Sequence, residues 1–186
     1  YYSSDHLAMK PKDYRNGGTG IIITYGLAKC SLGWVIVAST ERGVCAIEFG
    51  DTPKTLPSQV QQRFPKAQLR KAGAGFTTLL EEVVHFLEAP RSEFDIPLDI
   101  QGTVFQQKVW SVLKLIKPGE TLSYSEVAEN IGNPKAVRAV ATACSSNKLA
   151  VVIPCHRIIS KDGKIGGYRW GVERKKMLLA KESGEK

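Results

Sequence analysis

The chain has 186 residues, of which 42% are hydrophobic and 24% charged, a composition typical of a globular protein with one or two domains. This composition excludes a collagen, a coiled coil and a disordered polymer. No stretch approaches eighteen consecutive apolar residues, and residues 1–10 lack the basic start and apolar run of a secretory signal. We therefore expect an intracellular, cytoplasmic protein without a membrane span.

The net charge of +8 is confined to the second half of the chain. Residues 1–101 hold 11 Lys/Arg and 11 Asp/Glu, whereas residues 102–186 hold 15 and 7. A basic region beside a neutral one indicates contact with a polyanion, with nucleic acid the first candidate and an anionic membrane surface the second. A basic face that serves only solubility is the alternative.

The first half predicts an α/β domain. Residues 1–20 are polar and rich in turn formers, which is typical of a tail or linker. Segments 21–28, 34–39 and 44–49 are rich in β-branched and aromatic residues, and they predict an antiparallel meander. Apolar residues at helical spacing over 76–87 predict an amphipathic helix that packs on this sheet.

The polar pair Gln101-Gly102 marks the predicted domain boundary, because the charge balance changes there. A helix should then run from Val104 to about Ile116, and the Ser-x-x-Glu pattern of a capping box at Ser123 should begin a short helix that continues through Ile131.

A further helix is predicted from Lys135 to about Ser145. Asn133 can cap it, and Val137, Val140, Ala141 and Cys144 should face inward. Its outward face would carry Lys135 and Arg138 among small alanines (Ala136, Ala139, Ala143). The two helices have a helix-turn-helix outline, which also occurs as a generic packing unit without DNA binding.

One short segment concentrates reactive side chains. Pro154, Cys155, His156 and Arg157 are consecutive and lie between apolar runs. A free thiol is mostly protonated at neutral pH, so nucleophilic use requires a nearby base or positive charge, which His156 and Arg157 could supply. Because neighbouring residues of a strand point to opposite faces, cooperation between thiol and imidazole requires a bend, which Pro154 favours.

The remaining cysteines do not indicate a second site. Cys30, Cys45 and Cys144 lie in apolar patterns typical of small core residues, and the four cysteines are too scattered for a disulfide framework. A zinc set formed with His6 and His85 is conceivable, but no ligand spacing supports it, and we expect no metal.

The Pro-Cys-His-Arg segment at 154–157 resembles the active-site motif of the O6-alkylguanine-DNA alkyltransferases, also called methylated-DNA–protein-cysteine methyltransferases. The similarity extends through Asn147, through Ser123-Tyr124 and through the run 132–140, to Gly167-Tyr168 and the segment 178–182. It covers the second half of the chain and, more loosely, the first half from about Ile21.

This resemblance implies a fold and a reaction. The fold would be an RNase H-like α/β domain over residues 21–101, followed by a mainly helical winged helix-turn-helix domain over 102–186. In the reaction, the alkyl group on O6 of guanine, and that on O4 of thymine, would move irreversibly to Cys155, so that each chain acts once. No cofactor is implied.

The resemblance also implies a catalytic set. Cys155 would be the nucleophile, activated by His156 through a bridging water, and Glu182 would orient the histidine. Asn147 would hold the active-site turn by hydrogen bonds, and Tyr124 would assist nucleotide rotation and protonate the leaving guanine.

The implied DNA contacts and pocket complete the assignment. Arg138 would fill the stack vacated by the extruded base, with Lys135, Ala139 and Tyr124 also at the DNA. The remaining residues would line the substrate pocket, with Lys175 supporting the leaving base: Pro154, Gly166, Gly167, Tyr168, Arg169 and Lys175. The implied partner is double-stranded DNA containing O6-alkylguanine, bound through the minor groove by a monomer, with no membrane partner; in a bacterium the protein would be associated with the nucleoid.

Two details refine the resemblance. Residues 9–15 resemble the closing segment of the AraC-type domain that precedes the alkyltransferase in bifunctional bacterial Ada adaptive-response proteins, so the chain is expected to be the C-terminal part of an Ada-like protein. Arg169 and Trp170 are bulkier than the residues some members carry, which leads to the hypothesis that the pocket favours methyl over benzyl groups.

Two rival functions stay open at this point. The chain could be a DNA-binding module that recognises alkylated DNA without chemistry and recruits repair or transcription factors. It could also be a thiol hydrolase that uses Cys155, His156 and Glu182 over many turnovers, although this explains neither the basic half nor Arg138.

Overall fold

A computed structural model describes residues 20–184, which form two compact units. The first unit comprises residues 20–88 and 93–102, and the second comprises 89–92 and 103–184. Of the tail predicted for residues 1–20, residues 1–19 with the AraC-like segment lie outside the described residues. Within the described part of the chain, none of the helices has the length and apolar character required to cross a membrane.

The first unit is built on a four-stranded sheet. The strands are β1 (Ile22–Cys30), β2 (Gly33–Thr40), β3 (Gly43–Gly50) and β4 (Gln68–Lys71). Their order is β3-β2-β1-β4, with β1, β2 and β3 antiparallel and β4 parallel to β1. The predicted meander is therefore correct, whereas β4 escaped prediction because it is short and polar and depends on β1 for its pairing.

Two helices accompany the sheet. The helix α1 (Leu56–Arg63) was not predicted, because only Leu56 and Val60 of its eight residues are buried, too few for a clear helical period. The helix α2 (Thr77–Glu88) follows a short 3₁₀ turn and confirms the predicted amphipathic helix. The core of the unit is apolar and includes Ile23, Ile36 and Phe64, all fully buried.

The second unit is mainly helical. Its elements are α3 (Val104–Leu115), β5 (Leu122–Ser123), α4 (Tyr124–Asn130), α5 (Val137–Ser145), β6 (Ile158–Ile159) and α6 (Val172–Ser183). β5 and β6 pair in parallel and join the start of α4 to the segment that follows the Pro-Cys-His-Arg motif. The fold class predicted from the sequence, an α/β unit followed by a mainly helical unit, is confirmed.

Side-chain caps determine where two of these helices begin. Ser123 accepts a hydrogen bond from the backbone of Glu126, whose carboxylate in turn accepts one from the backbone of Ser123, as the capping box predicted. Thr103 and Gln106 form a second capping box at the start of α3. Gly132 ends the α4 segment with φ of 78°, a conformation that favours glycine.

The start of α5 differs from the prediction. The helix begins at Val137 rather than Lys135, and Asn133 does not cap it, since its carbonyl instead closes a turn by accepting from the Ala136 backbone. Lys135 therefore precedes the helix.

The inward face of α5 also differs in part. Val140 and Cys144 are buried as expected, but Ala141 is exposed and Ala143 is buried. The shorter helix presents positions 140, 143 and 144 to its neighbours, and the carbonyl of Ala143 accepts a hydrogen bond from Trp110 of α3.

Candidate active site and nucleic-acid interface

The segment after α5 is a tight, strained turn. The backbone N–H of Val152 donates to Ala150, and that of Cys155 donates to Ile153, so two very short turns follow each other. Val151, the central residue of the first turn, has φ of 70°, which is unusual for a β-branched residue. Such strain persists only where the surroundings enforce it, and it is common at functional sites.

Asn147 holds this turn from inside. Its side-chain nitrogen donates to the Ile153 carbonyl at 2.9 Å and to the Cys155 Sγ at 3.3 Å, while its oxygen accepts from the Leu149 backbone at 2.8 Å. Asn147 is completely buried. One amide thus fixes both ends of the turn and touches the thiol, in agreement with the expected position.

Cys155 begins a 3₁₀ turn that runs to Arg157 and is preceded by Pro154. This turn provides the bend that cooperation between thiol and imidazole required. The thiol is only 6% exposed, and burial raises its pKa from 9.0 to about 11, although the Asn147 hydrogen bond and the charges of Lys175 and Arg169 act in the opposite direction. The resting thiol is therefore protonated at neutral pH.

His156 lies beside the thiol in sequence and contacts α6. Its Nε2 lies 2.7 Å from Glu182 Oε1, and both side chains are completely buried. Burial lowers the pKa of His156, while Glu182 acts in the opposite direction. With Nε2–H donating to the carboxylate, Nδ1 is an acceptor, and among residues 20–184 it has no hydrogen-bond partner. A neutral imidazole with one free acceptor can serve as a base.

Glu182 also binds Arg157. The guanidinium donates from Nε to Oε2 at 2.9 Å and from Nη2 to Oε1 at 2.7 Å, and its Nη1 donates to the Ile116 carbonyl at 2.6 Å. Burial would raise the pKa of Glu182, but the hydrogen bonds from His156 and Arg157 lower it overall. The expectation that Arg157 supplies positive charge to the thiol is therefore wrong, because its nitrogens are directed to Glu182 and Ile116.

Lys175 is one of two cations that act on the thiol, with Arg169 the other. It is completely buried on α6, and its Nζ donates to the carbonyls of Ile158 and Gly167, at 2.5 and 3.1 Å. Burial lowers its pKa, which the nearby thiols of Cys155 and Cys144 oppose. Lys175 therefore joins the strand β6 to the glycine-rich segment (residues 166–169), and its positive charge stabilises a thiolate at Cys155.

Two tyrosines lie close to this centre. Tyr124 is the first residue of α4, and burial together with the two neighbouring thiols raises its pKa. Tyr168 Oη is buried and has no hydrogen-bond partner within the described part of the chain. The Tyr168 ring lies edge-on to the rings of His156 and Trp170, at 6.5 and 5.3 Å. Both phenols therefore keep their protons and can donate them.

The remaining predicted pocket residues border the same region. Gly166 has φ of 72°, and a side chain there would approach Ser160 at 3.2 Å and the Tyr124 hydroxyl at 4.0 Å. Arg169 donates to the Ser145 carbonyl at the end of α5, and its guanidinium lies 5.9 Å from the centre of the Trp170 ring. The glycine-rich segment is thus anchored at Lys175 and at Ser145.

The predicted DNA-contacting residues are accessible. Arg138 and Ala139 are exposed on the first turns of α5, and Lys135 is exposed in the preceding turn. A thin helix with exposed basic groups near its N-terminus is suited to phosphates and to a narrow groove.

The described residues contain no group of three or more His, Cys, Asp and Glu side chains arranged to bind a metal ion.

The role of Arg157 was missed because its partner is 25 residues away in sequence. Glu182 lies on the last turn of α6, and only this position could have suggested that its carboxylate reaches the Pro-Cys-His-Arg motif. No local pattern indicates whether the carboxylate binds His156, Arg157 or both.

Comparison with known proteins assigns both units. The family model of the 6-O-methylguanine DNA methyltransferase ribonuclease-like domain matches residues 23–100, and that of the DNA binding domain of the same family matches residues 104–184. The chain is 49% identical over 185 residues to the bifunctional transcriptional activator/DNA repair enzyme Ada of Escherichia coli, with 98% of this chain and 52% of Ada covered. It therefore spans about half the length of that relative.

Two further relatives are covered over most of their length. The inducible methylated-DNA–protein-cysteine methyltransferase of Bacillus subtilis is 38% identical over 144 residues, which are 77% of this chain and 80% of that protein. The crystal structure of Mycobacterium tuberculosis OGT in complex with DNA superimposes with a TM-score of 0.69 at 30% identity, covering 88% of this chain and 94% of that one. Two matched domains and relatives aligned along most of their own length lead to one conclusion: this chain belongs to the O6-methylguanine-DNA methyltransferase family.

Proposed function

We propose that this chain repairs DNA by direct reversal, moving the alkyl group from O6 of guanine, or from O4 of thymine, to Cys155 in a single irreversible turnover without a cofactor. The observation that carries the proposal is the buried series Cys155, His156 and Glu182, in which the imidazole keeps one free acceptor nitrogen. The family of the chain supports the same reaction.

The chemistry begins from a protonated thiol. The Sγ–H proton passes to His156 Nδ1 through a bridging water, and Sγ bonds to the alkyl carbon as the C–O6 bond breaks. The electron pair of that bond stays on guanine, which takes a proton from the Tyr124 hydroxyl. The raised pKa of Cys155 fits this order, because a preformed thiolate is not the resting state. The thioether has no leaving group that water can displace, so the reaction ends there.

The other buried residues position this pair. Asn147 fixes the turn that presents Sγ, and Glu182 fixes the imidazole. We assign Lys175 a role different from support of the leaving base, since its Nζ donates to Ile158 and Gly167. It holds the glycine-rich side of the pocket and favours the thiolate as the proton leaves. Pro154, Gly166, Gly167, Tyr168 and Arg169 form the rest of the pocket.

The proposed substrate is double-stranded DNA, bound by a monomer through the minor groove along α5. The target atom cannot be reached inside a duplex, so the nucleotide must be extruded at a cost of a few kcal/mol. Arg138 would fill the vacated stack, with Lys135 and Ala139 against the backbone; all three are exposed. We place this activity in the cytoplasm, at the nucleoid if the source is bacterial.

We further propose the domain limits expected from the sequence: a tail or linker over residues 1–20, an RNase H-like domain over 21–101 and the alkyltransferase domain over 102–186. The two compact units and the two matched family domains support a change near residue 102.

Intact-protein mass spectrometry after incubation with excess duplex containing O6-methylguanine tests the reaction. We expect one added methyl group, about 14 Da, on the wild-type chain and none on Cys155→Ala, as nucleophilic transfer to that thiol requires. Binding without a mass gain in the wild type would contradict the proposal and leave a lesion-recognition module. Salt-independent binding would contradict the proposed DNA surface.

The second candidate is a non-catalytic module that binds alkylated DNA and recruits repair or transcription factors. The observation that favours it is the exposure of Arg138 on α5 and of Lys135 in the turn before it. Full biological effect of Cys155→Ala would support this candidate. Counting turnovers separates the thiol hydrolase, since more than one product molecule per chain is incompatible with alkyl transfer to Cys155.

Arg169 and Trp170 lead to a proposal on specificity. Trp170 is buried against the Tyr168 ring, so this side of the pocket is filled by aromatic groups. We expect O6-methylguanine to inactivate the protein faster than O6-benzylguanine. Equal inactivation rates would contradict a narrowed pocket.

A further inference from the structure

The Glu182 carboxylate is shared between two cation-capable side chains. Oε1 lies 2.7 Å from both His156 Nε2 and Arg157 Nη2, and Oε2 accepts from Arg157 Nε. The side chains of His156 and Glu182 are completely buried, and that of Arg157 is 6% exposed. A buried carboxylate that faced only an imidazole would favour the imidazolium, because the proton would compensate its charge.

Arg157 already compensates that charge, and its position is fixed at both ends. Its Nη1 donates to the carbonyl of Ile116, the C-terminal cap of α3, where unsatisfied carbonyls and the helix dipole favour a cation. The guanidinium is therefore held between the end of α3 and Glu182 on α6. It can act on the reaction only through Glu182 and His156.

We propose that Arg157 is a positioning residue for the alkyl transfer: by sharing the Glu182 carboxylate, it keeps His156 neutral as the Nε2–H tautomer, whose Nδ1 accepts the proton of Cys155. This inference rests on the proposed function and deepens it. Arg157 affects only the position of the imidazole proton of His156. Sγ still forms its bond to the alkyl carbon and guanine still leaves as proposed above.

The groups that face His156 account for the expected pH dependence. Glu182 and Lys175 act on it from α6 and Arg157 from its own turn, in which Cys155 is the preceding residue, and the Tyr168 ring lies edge-on to it from the glycine-rich segment. Burial lowers the pKa of His156, Glu182 opposes this, and the positive charges of Arg157 and Lys175 lower it further. Loss of Arg157 leaves the negative charge of Glu182 without its compensating cation. The imidazole would then stay doubly protonated up to a higher pH and could not act as a base.

The test compares wild type, Arg157→Gln and Arg157→Lys in single-turnover methyl transfer across about pH 5.5 to about 8.5, where an imidazole titrates. For Gln we expect the acid limb to move up by about one pH unit, so that the rate near pH 6 falls about tenfold more than the rate near pH 8. For Lys, which keeps the charge but cannot bind both oxygens, we expect a smaller shift in the same direction.

Arg63→Gln is the matched control. Arg63 donates from Nε and Nη2 to the buried Glu48 carboxylate of the first unit, so its loss breaks an arginine–carboxylate pair that includes none of the site residues. We expect its pH profile to superimpose on that of wild type. A folded Arg157→Gln or Arg157→Lys with a wild-type profile would overturn the inference.

Nitrogen chemical shifts of the imidazole provide a readout that needs neither substrate nor variant. In the wild-type protein near neutral pH we expect a neutral His156 with the proton on Nε2 and none on Nδ1. A proton on Nδ1, or a charged ring, would overturn the inference even if both Arg157 variants failed to fold. If the wild type transfers no methyl group, the proposed reaction fails, while the same shifts in Arg157→Gln, where we expect a charged ring, still decide whether Arg157 keeps His156 neutral.

Discussion

The two units bury different kinds of side chain. The first encloses an apolar core, and its buried polar residues in the described range are Glu48, Asp99 and Gln101. The second unit buries seven polar or charged residues: Ser123, Asn147, Lys148, His156, Arg157, Lys175 and Glu182. Because burying charge is costly unless each group is paired, this difference indicates that the first unit is built for stability and the second for chemistry.

The largest effect is expected from a substitution that breaks the ion-pair cluster of the second unit, formed by His156, Arg157 and Glu182. Glu182→Ala leaves Arg157 buried without its carboxylate, and we expect a loss of about 3–5 kcal/mol in the free energy of unfolding. Glu48→Ala in the first unit should cost less, because its partner Arg63 is 13% exposed and can be hydrated. Urea denaturation monitored separately for each unit measures both. Equal losses would contradict the contrast between the units.

Removal of the amide that holds the active-site turn should be the next largest effect. Asn147→Ala leaves the Leu149 backbone N–H without its side-chain partner and takes one of two donors from the Ile153 carbonyl, which keeps the Cys155 backbone N–H; an unsatisfied buried group costs about 1–3 kcal/mol. We expect a loss of roughly 3 kcal/mol in chemical denaturation. Asn130→Ala, which removes an exposed hydrogen bond to the Glu126 carbonyl, is the control and should cost under about 1 kcal/mol.

Alkaline pH should weaken the folded protein through its buried thiols. Burial raises the pKa of Cys155 to about 11 and that of Cys144 to about 12, from 9.0. Above about pH 9 the unfolded chain releases these protons while the native chain keeps them, so stability falls as pH rises, on the order of 2 kcal/mol for each thiol by about pH 10.5. Cys155→Ala should flatten this decline, and an unchanged slope in the variant would refute the assignment.

The smallest effect on stability, but one specific to DNA, is expected at α5. Arg138 is exposed, so Arg138→Ala should change the free energy of unfolding by less than about 0.5 kcal/mol. It should slow methyl transfer from duplex DNA by about tenfold, since it would fill the stack after extrusion, and leave transfer from the free base unchanged. Arg70→Ala, exposed on β4, is the control. An equal loss on both substrates would remove the intercalation role.

Sequence patterns predicted the elements that carry a clear period. The helices α2 and α3 have one, and the three long strands are marked by their β-branched and aromatic residues. By contrast, α1 fully buries only two of its eight residues and β4 buries none, so neither shows a clear pattern. The start of α5 was misplaced because Asn133 and Pro134 have the residue types of a helix start, yet form a separate turn.

Which residues lie at the site could be predicted from the sequence, but which side chains bind each other there could not. The order of residues around Cys155 and the resemblance it carries named Asn147, His156 and Glu182, and the structure brings all three to the thiol segment. The choice of partner for each cation depends on which carbonyls and carboxylates the fold directs inward. Arg157 therefore pairs with Glu182 rather than with the thiol, Lys175 acts on the thiol, and no pattern along the sequence indicates either arrangement.

The burial of Cys155 has a consequence for the lifetime of the unused protein. A chain that reacts once is a consumable reagent, and any encounter of its sulfur with a stray electrophile or oxidant in the cell would waste it. A thiol that is 6% exposed and protonated at rest is a poor target for such compounds. The turn that keeps the thiol buried and protonated thus also protects each molecule from side reactions until a damaged base enters the pocket.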